Sequence, residues 1–248
     1  MTDAELARSI AAEAGELLRR IRAEGPEQGK ALGDRGDREA NALILARLAE
    51  ERPEDCVLSE EASDDLTRCS RQRVWIVDPL DGTREYSEGR DDWAVHIGLS
   101  IDCRPAVGAV ALPDRGEVLA SDGPPVAPPA RPRPIMVVSR TRPPEVALKV
   151  AEAIGADILP MGSAGAKAMA VVDGRADVYL HAGGQYEWDN CAPVAVATAA
   201  GLHASRIDGS PLSYNCADPL LPDLLICRPE LARAVVDAVN GAGAISAR

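Results

Sequence analysis

An apolar run that leads directly into two aspartates is the feature that most restricts the fold. It lies in the segment VWIVDPLDGTREY, residues 74–86. The four leading residues suit a buried strand, whereas Pro79 cannot continue one and Gly82 permits a sharp turn. Asp78 and Asp81 are therefore expected together at a strand end, where two carboxylates repel each other unless a proton or a metal ion lies between them.

Two further acidic segments could supply oxygen ligands to the same point. Glu60 and Glu61 follow a short strand predicted at residues 57–58, and Asp189 stands at the mouth of a predicted helix. Carboxylates, together with water and phosphate, are the ligands that Mg²⁺ favours. Taken singly, the two glutamates fit a solvated surface, and Asp189 fits a helix cap worth about 1 kcal/mol. Together, the three segments predict a magnesium site.

Composition limits the classes of partner. The 248 residues suit one large domain or two tightly joined ones. Hydrophobic residues make up 46% of the chain and Phe is absent, so we expect a core of Leu, Val, Ile and Ala. The formal net charge of −12 disfavours binding to DNA, RNA or an anionic membrane. A small anionic ligand is compatible with this charge if a cation neutralises it locally.

The N-terminal segment lacks the pattern of a signal peptide. MTDAELARSIAAEAGELL has no basic stretch followed by an apolar run, and no apolar stretch in the chain is long enough to cross a bilayer. Six cysteines, at positions 56, 69, 103, 191, 216 and 227, show no metal-site or redox spacing. They predict reduced thiols that mostly fill the core. These observations together predict a cytoplasmic protein.

The order of the predicted elements divides the chain in two. The first part predicts two helices and five strands, at residues 3–23, 40–48, 57–58, 74–77, 94–101, 107–112 and 117–121. Six prolines between residues 124 and 134 predict a loop. Strands and helices then alternate, at residues 135–138, 144–154, 163–172, 178–180, 190–200, 224–227 and 230–239. We therefore predict an α+β part at residues 1–133 and an α/β part at residues 134–248.

The combined motifs resemble those of the inositol monophosphatase superfamily of Mg²⁺-dependent phosphatases. The signature is a Glu-Glu pair, then W-I-x-D-P-[IL]-D-G-T, then a late W-D before a helix. The chain carries these at residues 60–61, 75–83 and 188–189, with Tyr86 in place of the usual Phe. The resemblance covers nearly the whole chain. It implies an α/β fold layered as an αβαβα sandwich, with most metal ligands in the first part and Asp189 in the second.

The resemblance also implies roles for individual residues. Two or three Mg²⁺ ions would bind, one to Glu60, Asp78 and the backbone carbonyl of Leu80, and a second to Asp78, Asp81 and Asp189. Backbone N–H groups of Gly82 and Thr83 would bind the substrate phosphate. Two metal ions on one phosphate clamp the attacking and leaving oxygens and lower the pKa of a bound water. Inhibition by Li⁺ is a further implied property.

Three stretches favour the 3′(2′),5′-bisphosphate nucleotidase branch, which includes the bacterial CysQ group. GSAGAK at residues 162–167 resembles a glycine-rich stretch of that branch ending in Lys, and EWDNCAP resembles its W-D-T-x-A-P. Asp37 lies 23 residues before Glu60, the offset of the aspartate that activates water with the D-G-T threonine, here Thr83. The implied catalytic pair is therefore Asp37 and Thr83. The implied substrate contacts are Gly82, Thr83, Arg140, Ser163, Lys167 and Glu187.

Other stretches depart from that branch. GKALGDRGD matches it at two positions only, and SRTRPP has Arg142 where the branch tends to have His. GSAGAK alone also fits an ordinary helix start with a surface lysine. In GRDDWAVHIGL, Asp91 and Asp92 have no predicted role beyond capping a loop, and His96 fits a satisfied core histidine better than a ligand.

The resemblance implies a reaction. A phosphatase of this branch would remove the 3′-phosphate of adenosine 3′,5′-bisphosphate, a by-product of sulfate activation, or of its 5′-phosphosulfate analogue. Hydrolysis of inositol phosphates or fructose 1,6-bisphosphate is the alternative. A non-catalytic anion-binding protein is less favoured, because every expected metal ligand is present in the sequence. The partner would be a small phosphorylated nucleotide, and two copies could pair as a homodimer.

Overall fold

The computed structural model describes residues 1–126 and 128–242. The helices are α1 (Asp3–Glu24), α2 (Gly29–Glu51), α3 (Thr83–Ser87), α4 (Glu145–Ala153), α5 (Ala164–Val172), α6 (Glu187–Ala199) and α7 (Pro229–Gly241). The strands are β1 (Cys56–Ser59), β2 (Arg73–Asp81), β3 (Ala94–Ile101), β4 (Arg104–Leu112), β5 (Glu117–Ala120), β6 (Ile135–Ser139), β7 (Asp157–Met161), β8 (Val178–Tyr186), β9 (His203–Ser205) and β10 (Leu220–Cys227). Within the described ranges, no helix combines the length and apolar character needed to span a membrane.

Two helices cover one face of the first sheet. This sheet has the order β1-β2-β3-β4-β5, with β1 parallel to β2 and the other neighbours antiparallel. Helix α1 carries Leu6, Ile10 and Leu18 at helical spacing, and these form one apolar cluster with Ile44 of α2 and Trp75 of β2. The apolar stripe that predicts α1 is thus the face that it buries.

The second sheet and the remaining helices complete five layers. Its order is β7-β6-β8-β10-β9, with β6 parallel to both β7 and β8. Helices α5 and α6 lie between the sheets, where Met169 of α5 shares an apolar cluster with Ile76 of the first sheet and Leu224 of the second. Helices α4 and α7 cover the outer face with Val150 and Val235. This arrangement confirms the predicted α/β fold with its αβαβα layers.

A proline-rich segment joins β5 to β6, as the sequence predicts. The middle helical layer contacts both sheets, so the two parts of the chain share one core. The division of the chain at residue 133 therefore stays a prediction.

Helix α2 begins at residue 29, although periodicity predicts a helix only from residue 40. Its first turns contain Gly33 and Gly36, which lower helix propensity and interrupt the apolar pattern. A Cβ at Gly33 would lie 2.6 Å from Cγ2 of Thr83, and one at Gly36 would lie 3.0 Å from a side chain of α1. These glycines let α2 approach its neighbours closely, and they bring Asp37 of the same helix towards Thr83.

Strand β2 continues through Pro79 to Asp81, which corrects the prediction that it ends at Val77. Its pairing with β3 is regular as far as Asp78 and then shifts before Asp81 pairs with Ala94. A proline is tolerated at such a bulge because the ladder hydrogen bond is already interrupted there. The bulge lies between Asp78 and Asp81 in the chain, the two aspartates that the sequence analysis places at a strand end.

The cysteines fill the core less than expected. All six are free thiols: Cys191 and Cys227 are buried, Cys56 and Cys216 are half-buried, and Cys69 and Cys103 are exposed. The prediction of mainly core thiols is therefore wrong for the exposed pair. Cys69 lies in a short 3₁₀ turn and Cys103 in the turn between β3 and β4, where no periodic pattern reports burial.

Candidate active site

The bulge at the end of β2 presents two buried carboxylates to one point. Asp78 is 1% exposed and Asp81 is 7% exposed. The backbone N–H of Leu80 donates to Oδ1 of Asp78 over 3.0 Å. Gly82 follows with a φ of 90°, a left-handed conformation that favours glycine, and the chain turns directly into α3. The strand end therefore holds both aspartates on a tight corner.

A third carboxylate comes from the first turn of α6. Oδ2 of Asp189 accepts a hydrogen bond of 2.6 Å from the backbone N–H of Tyr186. One carboxylate oxygen from each of Asp78, Asp81 and Asp189 lies within 4.8 Å of the others. Helix α6 already includes Asp189, instead of beginning after it as the sequence predicts. The structure thus brings together three of the predicted ligands.

Helix α5 holds Asp81 from the side of the second sheet. The backbone N–H groups of Ala164 and Gly165 and the hydroxyl of Ser163 donate to its carboxylate. The positive end of a helix dipole favours a carboxylate at this place. Oγ of Ser163 also accepts a 3.0 Å hydrogen bond from the backbone N–H of Ala166, so Ser163 caps α5.

Glu60 lies at the same edge of the sheet because β1 and β2 run parallel. Ser59 ends β1 beside Val77 of β2, and the N–H of Glu60 donates to the carbonyl of Val77 over 3.4 Å. The carboxyl group of Glu60 is near enough to those of Asp78, Asp81 and Asp189 to interact with them electrostatically. Glu60 is exposed to solvent, so it forms the outer rim of the acidic cluster.

Repulsion within the cluster changes its pKa values. Burial raises the pKa of Asp78 well above its usual range, and the charges of Glu60, Asp81 and Asp189 raise it further. Burial and then the charge of Asp81 raise the pKa of Asp189 to about 6. Partial loss of solvent around the carboxyl group, followed by the charge of Asp189, raises the pKa of Glu60 to about 7. Solvent screens this effect more at the exposed Glu60 than at the buried Asp78.

The donors and their charges fit Mg²⁺. The compact cluster consists of carboxylate oxygens alone, without a His or Cys ligand among the residues that the structure describes. A divalent cation would remove the repulsion that raises the pKa of Asp78. Mg²⁺ binds to a few carboxylates and keeps water or phosphate as its other ligands. The metal-ligand roles of Glu60, Asp78, Asp81 and Asp189 stay a prediction that this geometry supports.

Asp37 of α2 faces Thr83 at the start of α3. The hydroxyl of Thr83 lies 3.5 Å from Oδ2 of Asp37 and donates to the carbonyl of Leu80 over 3.2 Å. Burial, followed by the charges of Glu61 and Glu60, raises the pKa of Asp37 to about 7. A carboxyl group with a pKa near neutrality is suited to proton transfer. The structure therefore places the predicted catalytic pair side by side, at the edge of the acidic cluster.

The metal-free protein is expected to lose stability as the pH rises from about 5 to about 8. In this range folded Asp78 and Asp37 keep protons that the unfolded chain, with carboxyl pKa values near 4, has already released. The folded state binds more protons, so its free energy of unfolding falls with rising pH. Thermal unfolding in EDTA should show a decline of roughly 3 °C or more, and saturating Mg²⁺ should remove it. A flat or rising Tm in EDTA would contradict this prediction.

A cavity of about 410 Å³ opens beside Asp81 and Asp189. Its lining comes from residues 81–85, from residues 139–142 after β6, and from residues 161–164 before α5. Pockets of about 300–1,000 Å³ are typical of small-molecule sites. The acidic cluster therefore opens onto a space that suits a small substrate.

A family model agrees with this geometry. The model described as the inositol monophosphatase family matches residues 2–124 and 133–240. The chain belongs to the inositol monophosphatase family. The family resemblance predicted from the three motifs is thus confirmed.

Individual members of the inositol monophosphatase family are also similar to the chain. A protein of Mycobacterium bovis named 3′-phosphoadenosine 5′-phosphate phosphatase is 54% identical over 243 residues, covering 93% of this chain and 90% of that protein. The 3′(2′),5′-bisphosphate nucleotidase CysQ of Escherichia coli is 30% identical over 202 residues, covering 73% and 79%. The crystal structure of CysQ from Bacteroides thetaiotaomicron superimposes with a TM-score of 0.79 at 29% identity, covering 91% and 97%.

One predicted substrate contact in this member of the inositol monophosphatase family, Lys167, lines the cavity but already has hydrogen-bond partners. Gly82, Thr83 and Ser163 line the cavity, and their contact with substrate stays a prediction. Lys167 also lines it but is only 6% exposed. Its Nζ donates to the backbone carbonyls of Gly162 and Ser163. Because its ammonium group already donates to these two carbonyls, Lys167 of α5 stabilises the loop that precedes the helix and is not a free surface lysine.

Arg140 and Glu187 also differ from expectation. Nη2 of Arg140 donates to Glu85 of α3 over 2.8 Å and to Glu88, directly after α3, over 3.2 Å, so these two acids already neutralise its charge. Glu187 is completely buried and accepts hydrogen bonds from the backbone N–H groups of residues 215 and 216. It does not line the cavity. This geometry gives no support to substrate binding by Glu187, which stays a prediction, because the carboxylate connects the loop at residues 215 and 216 to α6.

Two arginines at the cavity were not predicted as substrate contacts. Arg84 and Arg142 are exposed, line the cavity, and make no ion pair with an acidic side chain in the described part of the chain. Arg142 occupies the position at which the sequence departs from the nucleotidase branch. No pattern in the sequence distinguishes a free arginine from a paired one, since the pairing partners lie on other elements.

Two acidic residues that support the loop before α5 were also missed. Asp92 accepts a 2.6 Å hydrogen bond from the backbone N–H of Gly162 and pairs with Arg90. A Cβ at Gly162 would lie 2.3 Å from Cγ of Glu85, which explains the first glycine of GSAGAK. Asp92 therefore does more than cap its own loop. A sequence pattern does not reveal this role, because it depends on a contact between the two parts of the chain.

His96 has the expected burial and an unexpected neighbour. It is fully buried on β3, with Nε2 only 3.1 Å from Oδ2 of Asp81. Burial alone would lower the pKa of His96, but the charge and contact of Asp81 raise it. Conversely, burial alone would raise the pKa of Asp81, and the charge and contact of His96, with the hydrogen bonds from α5, lower it. Asp81 is thus the member of the cluster whose ionised form is stabilised.

Proposed function

We propose that the chain is an Mg²⁺-dependent phosphatase that removes the 3′-phosphate of adenosine 3′,5′-bisphosphate to give AMP and phosphate. The convergence of Asp78, Asp81 and Asp189 beside the Asp37–Thr83 pair carries the proposal. The name of the relative that is 54% identical supports the choice of substrate. The 5′-phosphosulfate analogue would be hydrolysed at the same phosphate.

Two or three Mg²⁺ ions would bind at the strand end. One would bind to Glu60, Asp78 and the carbonyl of Leu80, and the second to Asp78, Asp81 and Asp189. The carbonyl of Leu80 accepts from the hydroxyl of Thr83 and keeps a second lone pair. When bound, the ions supply positive charge to the phosphate oxygens and lower the pKa of water.

Groups of the chain itself would orient the phosphate and move the proton. Gly82 and Thr83 stand at the start of α3, where backbone N–H groups have no partner within the helix and can donate to a phosphate. The hydroxyl of Thr83 would take a proton from the attacking water as Asp37 accepts the proton of that hydroxyl. The 3.5 Å separation of these side chains would shorten in the substrate complex, as catalytic hydrogen bonds often do.

The 5′-phosphate of the substrate needs a cation that no acidic residue already neutralises. Arg84 follows directly after Thr83 and therefore lies beside the phosphate that would leave. Arg142 belongs to the segment after β6 and lies free at the cavity. We therefore assign the 5′-phosphate to Arg142, in place of Arg140, which is paired with two acidic residues, and Lys167, whose buried ammonium group donates to two backbone carbonyls.

Arg142→Ala is expected to lower kcat/KM for adenosine 3′,5′-bisphosphate by roughly 10- to 100-fold, because a charged hydrogen bond is worth about 1.5–3 kcal/mol. Hydrolysis of adenosine 3′-monophosphate, which lacks the 5′-phosphate, should change little. Lys149→Ala, at a surface lysine paired with Glu145, is the control for lost charge and should behave as wild type. Equal losses of Arg142→Ala on both substrates would contradict this assignment.

One rate comparison tests the proposed function. With purified protein and equal Mg²⁺, kcat/KM is measured for adenosine 3′,5′-bisphosphate, inositol 1-phosphate and fructose 1,6-bisphosphate. We expect the nucleotide to be the preferred substrate and EDTA to stop its hydrolysis. A preference for inositol 1-phosphate or fructose 1,6-bisphosphate would overturn the nucleotidase proposal. Absence of phosphate release from all three would indicate a non-catalytic anion-binding protein.

A further inference from the structure

His96 lies where three segments of the acidic cluster meet. Its ring is 0% exposed, on β3 and paired in register with Asp78 of β2. Nδ1 lies 3.0 Å from the backbone carbonyl of Trp188, the residue before Asp189. Nε2 lies 3.1 Å from Oδ2 of Asp81. The two ring nitrogens therefore reach two different carboxylate-bearing segments.

The third segment is the first turn of α5. A Cβ at Gly165 would lie 2.0 Å from Nε2 of His96, so only glycine leaves room for the ring. The N–H of Gly165 donates to the same Oδ2 of Asp81 that faces His96. This explains the second glycine of GSAGAK: it makes space for an imidazole against Asp81.

The chemistry of the neighbours fixes what each ring nitrogen can do. A backbone carbonyl only accepts, so Nδ1 donates its proton to Trp188. Nε2 is buried and has no aligned hydrogen-bond partner among the described residues, although Oδ2 of Asp81 is at ion-pair distance. Such a buried polar atom requires an explanation beyond packing.

We propose that His96 is a positioning residue for the cation site, an inference that rests on the proposed metal binding by Asp81 and Asp189. Its Nδ1 fixes the backbone that carries Asp189. Its Nε2 faces Oδ2 of Asp81 as an N–H donor, since a carboxylate oxygen can only accept. This leaves Oδ1, bound by one backbone N–H, as the oxygen that faces the cation. His96 thereby sets the spacing and orientation of two ligands without contacting the substrate.

Two substitutions separate the contacts. His96→Asn keeps an amide near the position of Nδ1 and loses the contact with Asp81, whereas His96→Gln can reach the position of Nε2. Binding of Mn²⁺, used as a paramagnetic stand-in for Mg²⁺, is followed by the electron paramagnetic resonance of the free ion, with no substrate present. Tm in EDTA is measured for the same proteins.

We expect His96→Asn to weaken Mn²⁺ binding by about 10- to 100-fold, the usual effect of removing a group that orients a metal ligand. His96→Gln should lose clearly less, even if both variants lose similar Tm. Wild-type Mn²⁺ affinity in His96→Asn, or equal losses in the two variants, would overturn the proposal and leave His96 as core packing.

Gly165→Ala provides a second route if His96→Asn does not fold. It retains the imidazole and every predicted ligand, but its Cβ displaces Nε2. We expect weaker Mn²⁺ binding here as well, and unchanged binding would overturn the proposal. Failure of the proposed function is distinguishable, because wild-type protein would then bind no Mn²⁺ or release no phosphate, whatever the His96 variants do.

Discussion

Asp78→Asn is expected to lower Mg²⁺-dependent phosphate release by roughly 10³-fold or more, because the proposed site would lose the one carboxylate that both ions share. This corresponds to about 4 kcal/mol, since each factor of ten is about 1.36 kcal/mol. Asn keeps the shape of the side chain, so the loss would reflect charge. Phosphate release is measured with Mg²⁺ limiting and again with Mg²⁺ in excess.

The same substitution should stabilise the metal-free protein at about pH 8. The pKa of Asp78 is raised by burial and by three neighbouring carboxylates, so its ionised form opposes folding above the unfolded pKa near 4. The neutral amide removes this penalty, and we expect Tm in EDTA to rise by roughly 2–4 °C, or about 1 kcal/mol. At a pH of about 4 the difference should vanish.

Asp91→Asn is the matched control, because Asp91 is an exposed aspartate outside the cluster. It should change neither phosphate release nor the pH dependence of Tm. Near-wild-type turnover of Asp78→Asn with Mg²⁺ limiting would show that Asp78 is not a metal ligand. A large loss of stability at every pH would show instead that Asp78 has a structural role.

Asp37→Asn is expected to lower kcat by about 10²- to 10⁴-fold, the scale of general-base catalysis. KM should change little, because Asp37 faces Thr83 and does not line the cavity. Thr83→Ala removes the other half of the pair. If the two residues act as a unit, the double variant should be only slightly slower than the slower single variant.

Asp34→Asn controls for a changed charge on the same helix. Asp34 lies on α2 one turn before Asp37 and forms an exposed ion pair with Lys30. Its substitution should leave kcat within about twofold, since exposed pairs contribute little. If Asp37→Asn raises KM and leaves kcat unchanged, Asp37 is a binding residue. Fully additive effects of Asp37→Asn and Thr83→Ala would likewise contradict a shared proton path.

The sequence predicts those parts of the site that depend on local patterns. The apolar run before Asp78 requires a buried strand, and Gly82 requires a turn. The stripe on α1 has a single helical period, and the alternation after residue 134 indicates α/β layering. The family motifs then place Glu60, Asp189 and Asp37 near the same strand end. The strand, the turn and the helical stripe need only residues close together in the chain, whereas the convergence of the distant acidic residues comes from the family resemblance.

The structure differs from expectation where a distant contact determines a residue's role. The glycines of α2 look like helix breakers, yet they allow close packing against α3. Pro79 looks like a strand terminator, yet it lies in a bulge. Lys167 and Arg140 look like free cations in the sequence. In the structure, Lys167 donates to backbone carbonyls before α5, and Arg140 is paired with Glu85 of α3. Periodicity and motif spacing carry no information on such pairings between elements.

The most direct test of the account is the position of a bound cation. Crystals of the full chain grown with Mn²⁺ would be measured for anomalous scattering, which locates Mn²⁺ independently of the protein coordinates. The account predicts a peak coordinated by carboxylate oxygens of Asp78, Asp81 and Asp189, in a protein that releases phosphate from adenosine 3′,5′-bisphosphate with the same ion. Mn²⁺ bound elsewhere, with this cluster free of the ion while that reaction proceeds, would contradict it.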